Sequence, residues 1–241
     1  MNTNLLYLAN LDSIHCAAHV VEITNDDTRV IIILDQTVFY PQGGGQPYDT
    51  GRIENSSGTF IVTEVRFVDG VVKHIGKFEH GFCAVGDAVQ CKVTVDRRNL
   101  NTRLHSAGHL IDMAVAQLNL AWVPGKAFHF PEGAYVEYAG DLEGIDKEAL
   151  LQNIQDVCKE LIAANMQTTI TFMNKEQMNT VCHFVSPYIP DDKPGRVVMY
   201  GSFGIPCGGT HVKCSADVKD IQIRKIKMEK GNIRVSYDVT R

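Results

Sequence analysis

The apolar residues change their period once along the chain, and that change sets the fold. Up to about residue 95 they alternate in short runs. "HVVEIT" and "RVIIILD" flank the turn sequence "NDD", "TFIVTEVRFVDGVVKHIG" carries Asp69-Gly70 at its centre, and "AVQCKVTVD" adds one more strand. Side chains alternate across a strand, so these runs predict strands with one buried face. Regular spacing with little helical period predicts a small antiparallel barrel. From Asp96 the period becomes helical: in "RRNLNTRLHSAGHLIDMAVAQLNL" the residues Leu100, Leu104, Ala107, Ile111, Ala114 and Leu118 recur on one face. "DKEALLQNIQDVCKELIAANM" repeats the pattern with Leu150, Ile154, Val157 and Leu161. Strands are expected at "QTTITF", "GRVVMYG" and "DIQIRKIKM", with "EKGN" turning into "IRVSYDV". The fold class is therefore α+β: a small antiparallel β-barrel over 1–95, then helices packed on an antiparallel sheet over 96–241.

Composition removes several classes of function. The 241 residues are 44% hydrophobic and 21% charged, ordinary for a globular protein with a sizeable core. The longest aliphatic run, "VIIIL", is too short to cross a bilayer, and the start does not read as a secretory signal. Seven cysteines without a framework spacing favour reduced thiols, so a cytoplasmic protein is expected, with no membrane partner. A net charge of −5 confines any nucleic-acid contact to a local basic patch. The best cluster is "RKIKMEKGNIR", with Arg224, Lys225, Lys227, Lys230 and Arg234. Arg97, Arg98 and Arg103 are further candidates, although a solvated charged face is the default for such residues.

Within the first helix, "HSAGH" places His105 and His109 on one face, where both imidazoles can reach one ion. The spacing alone is weak evidence, because "HCAAH" offers the same pattern at His15 and His19. Two features favour the helical pair. Both histidines lie off the apolar stripe, and Gly108 beside them costs roughly 1 kcal/mol in a helix, which suggests close approach by another group. A second pair of donors stands in "PCGGTH", Cys207 and His211. Cysteine with histidine suits zinc better than magnesium or calcium, so the four residues form a candidate Zn2+ site. Ser106 occupies the position where a metalloprotease needs glutamate, which argues against a peptidase.

The remaining signature is "LDQTVFYPQGGGQPYDTGRI". Gly43, Gly44 and Gly45 let backbone approach a ligand where a side chain would collide, although such a run is also a common turn between strands. No Gly-Lys-Ser/Thr follows, so it is not a P-loop and no nucleotide cofactor is expected.

"DQTVFYPQGGGQPYDTG", "HSAGH" and "CGGTHV" occur in the order seen in the editing domain of alanyl-tRNA synthetases and in the free-standing AlaX-type editing proteins, which the chain resembles over nearly its whole length. The tail "EKGNIRVSYDV" resembles the closing hairpin of that family. The length resembles the medium-length AlaX form rather than a whole synthetase. The resemblance implies a barrel joined to an α+β editing domain, with the active cleft between them. It implies hydrolysis of mischarged tRNA(Ala), with Ser-tRNA(Ala) first and Gly-tRNA(Ala) second as expected substrates; a monomer is a separate expectation. It makes His105, His109, Cys207 and His211 zinc ligands. Thr37 and Gln46 become catalytic-pocket residues near the aminoacyl ester. Separately from the resemblance, the flexible backbone of Gly43, Gly44 and Gly45 and the charge of Arg224, Lys225 and Lys227 make these six residues candidate substrate contacts. A pocket that rejects serine by one hydroxyl gains only about 1–3 kcal/mol, so a second, hydrolytic site has a physical reason to exist. Two alternatives stay open: editing of another mischarged tRNA such as Ser-tRNA(Thr), and a non-catalytic zinc-stabilised tRNA-binding module.

Overall fold

The computed structural model describes residues 2–26, 29–191 and 193–240. They form two compact units, one within residues 1–99 and one within residues 100–241.

The first unit opens with β1 (Asn4–Leu5) and continues through β2 (His15–Asp26), β3 (Arg29–Leu34), β4 (Gln36–Thr37), β5 (Gly51–Glu54), β6 (Gly58–Val68), β7 (Val71–Gly81) and β8 (Ala88–Val93). Six of these close an antiparallel barrel in the order β2-β3-β7-β6-β5-β8, as the alternation predicted. Inward positions are apolar: Ala18, Val20, Ile32, Leu34, Phe60, Val62, Val89 and Cys91 are buried. The β6–β7 hairpin turns at Asp69 (φ 50°) and Gly70 (φ 84°), both left-handed, which matches the right-handed twist of the flanking strands. Register shifts near Val62 and Glu64 bend this hairpin, as barrel closure requires. The short strand β5 was not legible in the sequence, and the "NDD" turn runs into Asp27, outside the described residues.

The second unit contains most of α1 (Val95–Gln117), then β9 (Val123–Phe128), β10 (Tyr135–Ala139), α2 (Lys147–Ala163), β11 (Thr168–Met173), α3 (Lys175–Val181), β12 (Gly195–Tyr200), β13 (Phe203–Pro206), β14 (Ile221–Glu229) and β15 (Asn232–Val239). Two antiparallel sheets result, β14-β15-β10-β9 and β11-β12-β13. Helix α2 starts where the Asp146 carboxylate accepts from the amides of Glu148 (3.0 Å) and Ala149 (3.1 Å). Its buried stripe is Leu150, Ile154, Cys158 and Leu161, with Val157 only partly buried. Helix α1 is enclosed on nearly every side: Asn101 and every residue from Leu104 to Val115 except Asp112 are buried. The apolar stripe therefore marks only part of its contact surface.

Candidate metal centre

The enclosure of α1 decides the environment of its histidines. His105 is 1% exposed and His109 8% exposed, although both lie off the apolar stripe. The second pair of donors comes from the loop after β13. Arg196 on β12 holds that loop by donating Nη1 to the carbonyls of Cys207 (2.6 Å) and Gly209 (3.0 Å). The Thr102 and Thr210 hydroxyls meet at 2.7 Å, and the Val212 amide donates to Ser106 Oγ at 3.1 Å. The loop is thereby fixed to the helix at two points and to β12 through Arg196.

These constraints bring one donor atom each from His105, His109, Cys207 and His211 within 4.8 Å of one another. Cys207 Sγ lies 3.3 Å from Nε2 of His105 and 3.3 Å from Nε2 of His211. Ligand atoms of a tetrahedral zinc site lie about 3.5 Å apart, so the spacing suits an ion of that size. His109 Nε2 is buried and makes no hydrogen bond among the described residues. A buried imidazole nitrogen without a partner is costly, and a metal ion would satisfy it.

The opposite ring nitrogens are held from behind. His109 Nδ1 lies 3.3 Å from the Asp112 carboxylate, which also accepts from the Tyr138 hydroxyl at 2.7 Å. His211 Nδ1 faces the Tyr200 hydroxyl at 3.2 Å and Ser106 Oγ at 3.4 Å. Such outer partners orient ligating imidazoles and fix their tautomers. Burial, together with neighbouring histidines, holds His105 and His211 well below the usual histidine range. Burial raises the Cys207 thiol, but His109, the Gly209 amide and Arg196 outweigh it and favour the thiolate. Burial lowers His109, yet the Cys207 thiolate and Asp112 carboxylate push it up to about 9. The cluster thus places a cation beside the thiolate, a place that a metal ion can take.

Thr37 and Gln46 belong to the first unit, and both are fully buried. The Thr37 hydroxyl lies 2.8 Å from His74 Nε2 and accepts from the Phe39 amide at 3.0 Å. The glycine run is a tight turn in which Gly43 and Gln46 exchange backbone hydrogen bonds of 3.2 and 2.8 Å. Gly44 (φ 53°) and Gly45 (φ 78°) supply the left-handed conformations it needs. The Gly43 amide is thereby consumed, whereas the amides of Gly44 and Gly45 make no backbone hydrogen bond among the described residues.

The basic residues divide sharply. Arg98 is buried on Asp49 and the carbonyls of Ser13 and Val38, and Arg97 donates to the Tyr48 carbonyl. Arg103 donates to the Val218 carbonyl. Arg224 pairs with Asp238 at 3.0 Å and Lys227 with Glu229. Lys225 and Lys230 are exposed and form no ion pair among the described residues. His15 and His19 stay outside the donor cluster. Sequence reasoning missed His74, His129, Arg196, Tyr200 and Tyr237, whose contacts are made across the fold. Only Gly108 hinted at one of them.

The family pattern described as tRNA synthetases class II (A) matches residues 7–97. Alanyl-tRNA editing protein AlaX-M of Methanosarcina barkeri is 27% identical, with 98% of each chain covered. AlaX-L of Pyrococcus horikoshii is 25% identical over 94% of this chain and 54% of its own length. The chain is similar to the AlaX-type alanyl-tRNA editing proteins over nearly its whole length. The alanine–tRNA ligase of Haloquadratum walsbyi is 28% identical over 92% of this chain, but the match spans only 24% of that enzyme. The chain thus spans almost all of AlaX-M, about half of AlaX-L and about a quarter of the ligase.

Proposed function

We propose that the chain is an aminoacyl-tRNA hydrolase that removes the wrong amino acid from mischarged tRNA(Ala), with Ser-tRNA(Ala) as principal substrate and Gly-tRNA(Ala) as a second. The observation that carries this reading is the cluster of His105, His109 and His211, all buried, with half-buried Cys207, in a chain similar to AlaX-M over 98% of its length. Three imidazoles and a thiolate suit zinc. A zinc ion held there supplies a positive charge that can polarise the ester carbonyl or lower the pKa of water. The protein's own residues orient the donors: Asp112 behind His109, Tyr200 and Ser106 behind His211, and Arg196 along the Cys207 loop.

In this reading Thr37 discriminates among amino acids. Its proton is committed to His74, so toward a substrate it can only accept, which suits a serine hydroxyl and finds nothing on alanine. The Gly44 and Gly45 amides are the candidates to bind the developing oxyanion, and Lys225 and Lys230 to meet tRNA phosphate. Four protein ligands also describe a closed structural zinc site, which favours the second reading, a non-catalytic tRNA-binding module. Incubation with Ser-tRNA(Ala) and Ser-tRNA(Thr) separates these. Serine release from the first alone supports the proposal; release from the second alone shifts the substrate; binding without release supports the module.

A further inference from the structure

One polar ring beside the cluster belongs to none of its four donors. His129, which follows β9, is 2% exposed and lies on His105 with ring centroids 4.4 Å apart and planes 21° from parallel. Its Nδ1 is 2.6 Å from the Tyr237 hydroxyl, which donates to the Leu104 carbonyl at 2.9 Å. A carbonyl can only accept, so the Tyr237 proton goes to Leu104 and His129 donates from Nδ1. This chain ties the His129 ring to the α1 backbone one residue before His105. The approach is possible because position 108 is glycine: a Cβ there would lie 2.5 Å from His129 Cε1 and 3.1 Å from the Tyr237 hydroxyl. The glycine costs helix stability, and the space it leaves is filled by His129.

We propose that His129 is a positioning residue of the metal centre, clamping the His105 imidazole in the plane that turns its Nε2 toward Cys207. The proposal rests on the reading of the four-residue cluster as a metal site. A flat ring held by its hydrogen bond to Tyr237, which is itself bonded to the Leu104 carbonyl, restricts the rotation about the His105 side chain that an open face would allow. Its contribution is pre-organisation, of the kind that outer partners of metal ligands supply.

The experiment uses the full chain, stripped with a chelator and titrated with Zn2+ and with Co2+, whose absorption reports ligand geometry. His129→Ala is expected to weaken metal binding about 10- to 100-fold and to alter the Co2+ spectrum. His129→Phe keeps the stacked ring but loses the bond to Tyr237, so it should restore part of the affinity. Gly108→Ala provides the second test, and covers the case in which His129→Ala fails to fold. The added Cβ must displace the buried His129 ring, which offsets the helix propensity that alanine gains, so metal binding should weaken well beyond any shift in the melting of the metal-stripped protein. Unchanged affinity and spectrum in both alanine variants would overturn the proposal, as would equal losses in His129→Ala and His129→Phe. A wild-type chain that binds neither metal removes the metal reading and the proposal together. Metal binding that depends on His129 without serine release leaves the proposal standing and removes the hydrolase.

Discussion

The Thr37 hydroxyl and the His74 imidazole are locked in one hydrogen-bond direction. His74 Nδ1 lies 2.9 Å from the Ile32 carbonyl, which can only accept, so Nδ1 carries the proton and Nε2 does not. The Thr37 hydroxyl, 2.8 Å from Nε2, must then donate, while its oxygen accepts from the Phe39 amide. Thr37→Val keeps the shape and removes the acceptor. Loss of one such bond costs roughly 0.5–1.5 kcal/mol, and an unpaired buried group roughly 1–3. Serine release from Ser-tRNA(Ala) should slow by about three- to a hundred-fold, glycine release from Gly-tRNA(Ala) much less, and Thr37→Ser should retain the preference. Equal losses on both substrates would make Thr37 a shaping residue of the barrel.

The same histidine makes stability depend on pH. Burial is the main cause that lowers His74 to about 4, against the ordinary 6.5. Between these values the unfolded chain binds the proton and the folded chain does not. The stability is therefore complete above pH 6.5 and is lost as pH falls from 6.5 toward 4, by about 3 kcal/mol. Urea unfolding of wild type and His74→Gln across that window checks this. Glutamine can still donate to Ile32 and accept from Thr37, so the variant should lose less stability on acidification. Identical pH slopes would sink the assignment.

Arg98 and Asp49 form a buried ion pair, 3% and 1% exposed, in which Arg98 Nε lies 3.1 and 3.0 Å from the two carboxylate oxygens. Removing the guanidinium leaves Asp49 charged and buried, and frees the carbonyls of Ser13 and Val38. Arg98→Met should cost about 3–5 kcal/mol in denaturant unfolding. Asp49→Asn added to it should recover part of that loss, since the uncompensated charge is then gone. If Arg98 served RNA instead, its loss would weaken tRNA binding with little change in stability.

These residues show where sequence reading stops. The barrel was legible because Val89, Cys91 and Val93 alternate with exposed neighbours on β8, and Asp69-Gly70 is a turn with a steric reason. The four candidate donors could be picked out because their chemistry is unusual and their spacing is local within each pair. His74, His129 and Arg196 were not, since a lone histidine or arginine acquires meaning only from partners dozens of residues away. Arg98 was misplaced among surface cations for the same reason: its partner Asp49 is distant in sequence. The off-stripe position of His105 and His109 pointed toward the site, but burial around α1 removes the contrast with the stripe on which that inference rested.

The four candidate donors give the last prediction. An ion that binds only the folded chain stabilises it by RT ln(1 + [L]/Kd), about 4 kcal/mol at a thousandfold excess over Kd. Chelation should therefore lower the thermal midpoint, and zinc should restore it. Changing both Cys207 and His211 to alanine removes two of four donors and leaves His105 and His109 facing each other with rings 5.0 Å apart. That variant should lose zinc by elemental analysis and should melt at the same temperature with or without chelator. A variant at His15 and His19 should keep full metal content, because His19 instead faces Asp35 at 3.4 Å on an exposed strand. Full zinc occupancy in the Cys207 and His211 double variant would place the metal elsewhere and remove the centre from the proposed chemistry.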